Sequence, residues 1–178
     1  MRYAVWMEVQ TMSAATLMEL VNGWGTLPRA RGGDRDPPPL AEFIEAHAVP
    51  DALAGCFTDP ALERAADRLY PVFAAPTAAE RARLVTALLK TSDVHPALGS
   101  DCRAQWVVPR RQDAVLAAAA VTLHAQLSEH DPERLGTCAS TRCADVYVDA
   151  SPGAHRRFCS VTCQNRERVA AFRRRRSG

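Results

Sequence analysis

The amino-acid sequence lacks the two features that would direct it into or across a membrane. Its 178 residues include no apolar run of 18 or more, which a spanning helix would need. The N-terminus has no long apolar signal segment, because Glu8 interrupts it early. We therefore expect a cytoplasmic protein without a membrane partner, in a compartment where thiols stay reduced and disulfides are rare.

Signatures of catalysis are missing as well. The chain has no phosphate-binding glycine loop, no His-Glu zinc motif and no Gly-x-Ser-x-Gly turn. Its isolated candidates, which have no partner at catalytic or ligand spacing, are His47, His95, His124, His130, Cys56 and Cys102. These absences predict that the protein is not an enzyme.

The formal net charge of +2 conceals two parts of opposite sign. Residues 1–133 contain 12 basic and 17 acidic residues, a net charge of −5. Residues 134–178 contain 10 arginines and 3 acidic residues, a net charge of +7. An acidic body joined to a basic tail indicates that the tail meets a polyanion while the body serves another purpose.

Apolar spacing predicts a mainly α N-terminal domain over residues 1–135, with a few short strands. Helices are expected at 13–21, 40–48, 60–70, from Thr77 onward and at 113–127, with a strand at 103–108. Asn22-Gly23 is expected to end the first helix, residues 24–39 to form a loop, and Pro71 to kink or end its helix. Thr77 and Glu80 form a capping box.

Four cysteines of the tail follow the spacing of a structural zinc site. Cys138 and Cys143 form one close pair, Cys159 and Cys163 form a second, and fifteen residues separate the pairs. Two such pairs can surround a tetrahedral ion, and four thiolates leave no open position for a reacting water. We expect one structural Zn²⁺ per chain, which would supply stability that so short a segment lacks.

Residues 136–178 are predicted to form a small treble-clef-like zinc finger, made of a knuckle, a β-hairpin and a helix. Residues 146–148 would form the first strand, 151–153 the turn and 156–158 the return strand. Ser160 would cap the helix, and Cys163 would lie in its first turn. The domain boundary is expected near residue 135.

The predicted last helix is rich in arginine, which binds phosphates and guanine edges through bidentate hydrogen bonds. The expected nucleic-acid contacts are Arg156, Arg157, Gln164, Asn165, Arg166, Arg168, Arg173, Arg174, Arg175 and Arg176. Two alternatives stay open. The arginines would form a solvated, solubilising tail, or Asp149 and Asn165 would serve the fold by bonding to backbone amides.

Several of these residues resemble a known family. The four cysteines, with Arg156-Arg157-Phe158 before the third and Asn165-Arg166 after the fourth, resemble the CGNR zinc finger, although Gln164 stands where that motif has glycine. The segment from Leu17 to Asn22 resembles the opening Leu-x-x-x-Val-Asn pattern of the ABATE domain, which usually precedes that finger in stress-induced transcription regulators. The resemblance implies a bacterial DNA-binding regulator whose N-terminal domain senses a ligand.

Together these observations predict a transcription regulator in which the zinc module holds DNA and the body senses a small-molecule ligand or forms a homodimer. One alternative is a redox sensor, in which oxidation of the zinc thiolates releases the metal and unfolds the tail. Another is an adaptor that binds protein or RNA with the same finger.

Overall fold

The computed structural model describes residues 6–47, 49 and 51–176, excluding the side chains of residues 51 and 52. Helices form most of it, and the strands are short. In chain order the elements are β1 (Met7–Val9), α1 (Ala14–Trp24), α2 (Thr26–Arg31), α3 (Leu40–Ala46), α4 (Asp51–Ala54), α5 (Asp59–Ala74), α6 (Ala78–Thr91), β2 (His95–Leu98), β3 (Ala104–Val108), α7 (Ala114–Glu129), β4 (Leu135–Thr137), β5 (Val146–Val148) and α8 (Val161–Arg176).

Hydroxyl side chains set the starts of three long helices. Ser13 accepts a hydrogen bond from the Thr16 amide at the start of α1, and Thr58 accepts one from Ala61 before α5. Thr77 accepts from the Glu80 amide, which is one of the two hydrogen bonds of the predicted capping box. These bonds satisfy amides that have no partner within the helix.

Two helices run past local stop signals because burial of later residues outweighs those signals: the predicted end of α1 at Asn22-Gly23 was wrong, and of the two outcomes expected at Pro71, a kink or an end, the end was wrong. Helix α1 continues through Asn22-Gly23 to Trp24, whose side chain is fully buried in the core. Helix α5 continues past Pro71 to Ala74, because Val72 and Phe73 pack into the core and hold its last turn. The expected loop over 24–39 also contains α2, a helix of six residues.

The strands form two small antiparallel sheets. The first has the order β1-β3-β2, with Met7 opposite Val108 and His95 opposite Val107, and confirms the predicted strand at 103–108. The second pairs β4 with β5, with Leu135 opposite Val148. Gly136 lies opposite Tyr147, and a Cβ at residue 136 would approach the tyrosine Oη to 2.6 Å.

Helix α7 forms the centre of the hydrophobic core. Every residue from Ala114 to Leu123 is buried, and its alanines let α1, α5 and α6 approach closely. Leu135, Val146 and Val148 from the second sheet belong to the same buried cluster as Leu17 and Leu62. The residues on either side of position 135 therefore contribute to one shared core. The domain boundary expected near residue 135 stays a prediction.

The predicted return strand at 156–158 was wrong. Strand β5 pairs instead with Leu135–Thr137, which precede the first cysteine. Residues 156–158 form a loop because their polar groups bond to side chains rather than to a strand, as described below. In the part of the chain that the structure describes, no helix is long and apolar enough to cross a membrane.

Candidate metal centre and basic helix

The four predicted cysteine ligands come together at one point. The sulfur atoms of Cys138, Cys143, Cys159 and Cys163 all lie within 4.8 Å of one another. The Sγ atoms of Cys143 and Cys159 are 3.6 Å apart, as are those of Cys159 and Cys163. Cys138 and Cys163 are buried, whereas Cys143 and Cys159 are half-buried.

The first cysteine pair lies on a tight knuckle. The amide of Cys138 donates to the carbonyl of Asp145 at 2.8 Å, and the amide of Cys143 donates to Ser140 at 3.2 Å. The amide of Asp145 lies 3.4 Å from the Cys143 sulfur, and points a donor at the place where thiolate charge would develop. The knuckle therefore orients both sulfurs inward and supplies one hydrogen bond to a ligand.

Asp149 and Arg156 fix the loop that delivers Cys159. The two carboxylate oxygens of Asp149 accept from the amides of Ser151 and Arg156, at 2.8 and 2.7 Å. The Arg156 guanidinium bonds to the carbonyls of Phe158 and Cys159 and stacks on the ring of Tyr147, 5.2 Å from its centroid. Side-chain hydrogen bonds from Asp149 and Arg156 thus hold this segment in place of the backbone hydrogen bonds of the predicted return strand. They confirm that Asp149 serves the fold by bonding to backbone amides.

The fourth ligand lies in the first turn of α8, as expected. Ser160 accepts from the Cys163 amide at 3.3 Å and caps the helix. One turn further on, the Glu167 carboxylate accepts from the amide of Thr141 and from the hydroxyl of Ser140, at 3.0 and 2.9 Å. Glu167 therefore joins the basic helix to the cysteine knuckle.

The donor set fits a tetrahedral thiolate-bound ion. With a Zn–S bond of about 2.3 Å, the sulfurs of a regular tetrahedron lie about 3.8 Å apart, close to the measured 3.6 Å. Without a cation, burial raises the pKa of the Cys143 thiol to about 12 and also raises that of Cys159. A divalent ion reverses this penalty because it stabilises the thiolates that burial disfavours.

Two residues of the body contact the segment beside the metal centre, and the sequence analysis did not predict these contacts. Arg35 forms an ion pair with Asp145 at 2.9 Å, and the other Asp145 oxygen lies 3.5 Å from the Cys159 sulfur. Asn22 of α1 bonds to both the amide and the carbonyl of Val146, at 2.7 and 3.1 Å. One signal pointed to Asn22, since it ends the Leu-x-x-x-Val-Asn segment, but nothing in the spacing indicated its partner.

Six of the ten expected nucleic-acid contacts line two grooves beside α8. Gln164 borders an open groove of about 460 Å³ with His155, Arg157 and Ser160. Asn165 and Arg166 border a second groove of about 450 Å³ with Arg142 and Arg173. All six arginines of α8 are exposed, and Cys163 is the buried side chain of this helix.

The exposed arginines differ in how far the fold already uses them. Arg156 is committed to the loop, so a phosphate would have to compete for its donors. Arg157 stacks beside Phe158, and Arg176 stacks beside Phe172, with 6.0 and 5.7 Å to the ring centroids. Both retain exposed guanidinium groups at the surface.

Comparison with known proteins supports the metal centre. A search of curated proteins returned no match. The family model described as the CGNR zinc finger matches residues 134–176, which include all four clustered cysteines. The chain therefore carries a zinc finger domain whose four cysteines form a metal-binding arrangement.

Proposed function

We propose that this protein is a DNA-binding transcription regulator whose zinc module presents α8 to duplex DNA. One observation carries the proposal: six exposed arginines stand on a helix that is anchored at its base by Cys163 and Glu167. A helix of 16 residues is about 24 Å long, which is enough to lie along a major groove. Anchoring lowers the entropic cost of presenting the arginines together.

Zinc is the structural ion of this proposal, bound by Cys138, Cys143, Cys159 and Cys163. When bound, it supplies folding stability, on the order of 10–16 kcal/mol in comparable peptides. Four thiolates leave no vacant coordination position, so the proposed role of the ion is structural. The proposed function is accordingly not that of an enzyme. The remaining interactions, from Asp149, Arg156 and Glu167, position the ligands and the helix.

Charge supports an orientation in which the finger faces DNA and the body points away. The segment 134–178 carries a net charge of +7, whereas residues 1–133 carry −5. The groove at the start of α8 is lined by Arg157, Ser160 and Gln164, whose side-chain donors suit phosphate. Arg166 and Arg168 follow on the same helix and are exposed, and in this proposal they contact base edges or the opposite strand.

The body's proposed role is regulation, as ligand sensor or as dimerisation domain. Its resemblance to the ABATE domain supports the first role. A single small module buries only about 600–1,000 Å² of protein surface on DNA, and this limit supports the second, since two modules read a longer site. Both roles would act on α8 through the shared core of Leu135, Val146 and Val148.

Salt titration tests the proposal. Binding of a fluorescent duplex of random sequence should weaken steeply as salt rises, with a slope of log affinity against log salt near −5 if about six arginines contact phosphates. An RNA hairpin of equal length serves as competitor. An affinity for duplex DNA that does not change with salt concentration would favour the adaptor function instead. So would displacement of the labelled duplex by the RNA hairpin at a lower concentration than unlabelled duplex requires.

A second candidate, redox sensing, is favoured by the exposure of two ligands. Cys143 and Cys159 are half-buried and their sulfurs lie 3.6 Å apart. Peroxide would take two electrons from these thiolates to form a disulfide, while it becomes two waters with two protons and the metal ion leaves. Peptide mapping after mild peroxide should then find a Cys143–Cys159 disulfide together with released zinc, and retained zinc would count against this function.

A further inference from the structure

A small cavity lies in the body where the start of α1 meets α3, α4 and α7. Its volume is about 170 Å³, slightly more than the roughly 150 Å³ of an engineered apolar cavity that binds benzene. Ser13, Thr16 and His47 form one polar end, and the exposed Gln10 and Thr11 complete the polar lining. The apolar walls are formed by Met12, Val49, Leu53, Phe57 and Ala118. We call this space the α1 cavity. Its volume suits a single six-membered ring.

A chain of hydrogen bonds ends at the polar side of the α1 cavity. His47 bonds through Nε2 to the Glu19 carboxylate at 2.8 Å and through Nδ1 to the Thr16 hydroxyl at 3.1 Å. The Thr16 hydroxyl also lies 2.7 Å from the Ser13 hydroxyl, which accepts from the Thr16 amide at 3.0 Å. Thr16 is buried, whereas Ser13 is exposed.

We assign this chain the polarity in which Nε2–H donates to the Glu19 carboxylate and Nδ1 accepts the Thr16 hydroxyl proton. Thr16 Oγ1 then accepts the proton of Ser13, so both hydroxyl protons are used within the chain. What remains open at the cavity is acceptor capacity, one lone pair on each hydroxyl oxygen.

We infer that the α1 cavity binds a small aromatic ring that carries one hydrogen-bond donor, such as a phenol or an aromatic amine. The ring would lie between Met12, Leu53 and Phe57, and its O–H or N–H would donate to the buried Thr16 hydroxyl. A ring with only an acceptor, or without a polar group, would leave this buried hydroxyl oxygen without that partner, which costs affinity. The polar end therefore selects donors.

Helix α1 contacts both this cavity and the finger. The first turns of α1 hold Thr16 and Glu19, while Met18 and Asn22 of the same helix bond to the backbone of β5. A ligand that shifts α1 would thus act on the strand beside the metal centre. This inference names the ligand class for the proposed sensing role; it rests on the proposed function only for what binding controls, and binding itself can be measured without DNA.

Binding of toluene, phenol and anisole to the wild-type protein tests the inference. Toluene and phenol have nearly the same shape, and anisole has an oxygen that accepts but cannot donate. Methyl NMR of Met12 and Ala118 reports occupancy of the cavity directly. Phenol should bind about tenfold or more tightly than toluene, since one hydrogen bond contributes about 1.4 kcal/mol, and anisole should resemble toluene. Equal binding of all three, or absence of shifts at Met12 and Ala118, would overturn the inference.

A pair of matched variants locates the donor-accepting group. Thr16→Val removes the cavity hydroxyl with little change of shape, and Thr86→Val removes an exposed hydroxyl on α6 far from the cavity. Thr16→Val should bring phenol down to the affinity of toluene, whereas Thr86→Val should leave the tenfold preference intact. A preference that survives in a folded Thr16→Val protein would overturn the assignment. If Thr16→Val fails to fold, the wild-type series still decides the inference.

Discussion

Asn22 pairs with Val146 through two hydrogen bonds across 124 residues of sequence. The Asn22 carboxamide accepts from the Val146 amide at 2.7 Å and donates to its carbonyl at 3.1 Å, as a neighbouring strand would. Val146 is buried, so no water can replace this partner easily. The helical body therefore completes the edge of the finger's small sheet.

Replacing Asn22 should weaken the finger although the residue lies far from it in sequence. Asn22→Ala leaves two buried backbone groups of Val146 unpaired, at a cost of roughly 2 kcal/mol or more. We expect a lower melting temperature and faster zinc loss to a chelator. Asn165→Ala, which changes an exposed asparagine on α8, is the matched control and should leave both unchanged. Equal zinc loss from the two variants would contradict the proposed connection.

Removing the metal should destabilise the body together with the finger. Leu135, Val146 and Val148 belong to the central core, so loss of the ion loosens residues that α1 and α5 pack against. Cys159→Ser should lower the melting temperature of the whole protein, measured by circular dichroism at the helical signal. Cys102→Ser alters an exposed cysteine outside the cluster and should have little effect. A helical signal that melts at the wild-type temperature in Cys159→Ser would show that the two parts fold independently.

The carboxylate of Asp149 should stabilise the protein across the neutral range. Hydrogen bonds from Ser151 and from the Arg156 amide lower its pKa from 3.8 to about 2. A lowered carboxyl pKa gives stability that is present above the unfolded value and is lost as the pH falls through the folded value. The destabilisation caused by Asp149→Asn should therefore be constant from about pH 5 to 8 and shrink only below about pH 4.

Urea unfolding of Asp149→Asn and wild-type protein over that pH range measures the difference. Because both proteins carry the same cysteines, metal loss at low pH affects them alike. A difference in free energy of unfolding that changes between pH 5 and pH 8 would contradict the role given to this carboxylate.

Glu167 should control how firmly α8 is held against the knuckle. Hydrogen bonds from the Thr141 amide, then from the Ser140 hydroxyl, lower the pKa of Glu167 and keep it ionised. Glu167→Ala should raise the hydrogen-exchange rate of the Thr141 amide about tenfold, as expected when a charge-assisted bond is lost. Glu129→Ala, at the exposed end of α7, is the control. Unchanged exchange at Thr141 would show that other contacts anchor the helix.

Local and periodic features of the fold could be predicted from the sequence. The caps at Ser160 and Thr77, the strand at 146–148, helix α7 and the four-cysteine cluster all follow from spacing along the chain. Each of these features depends on residues within a window of 26 or fewer. Sequence patterns report such relationships directly.

Features that depend on distant residues could not be predicted in this way. The partner of β5 proved to be Leu135–Thr137, because Asp149 and Arg156 hold the segment expected to pair as a loop. Asn22-Gly23 did not stop α1, because Trp24 is buried and Asn22 binds β5. In each case tertiary contacts outweigh a local preference of about 1 kcal/mol.

The most direct test of DNA binding by α8 compares two proteins with equal losses of charge. One carries Arg173, Arg174, Arg175 and Arg176→Gln on α8; the other carries Arg64, Arg68, Arg83 and Arg103→Gln on exposed parts of the body. With zinc retained in both, duplex binding is titrated against salt. The α8 variant should bind weakly, with a slope near −2 in place of about −5, while the body variant keeps the wild-type slope. Equal affinities and slopes for the two variants would contradict the account.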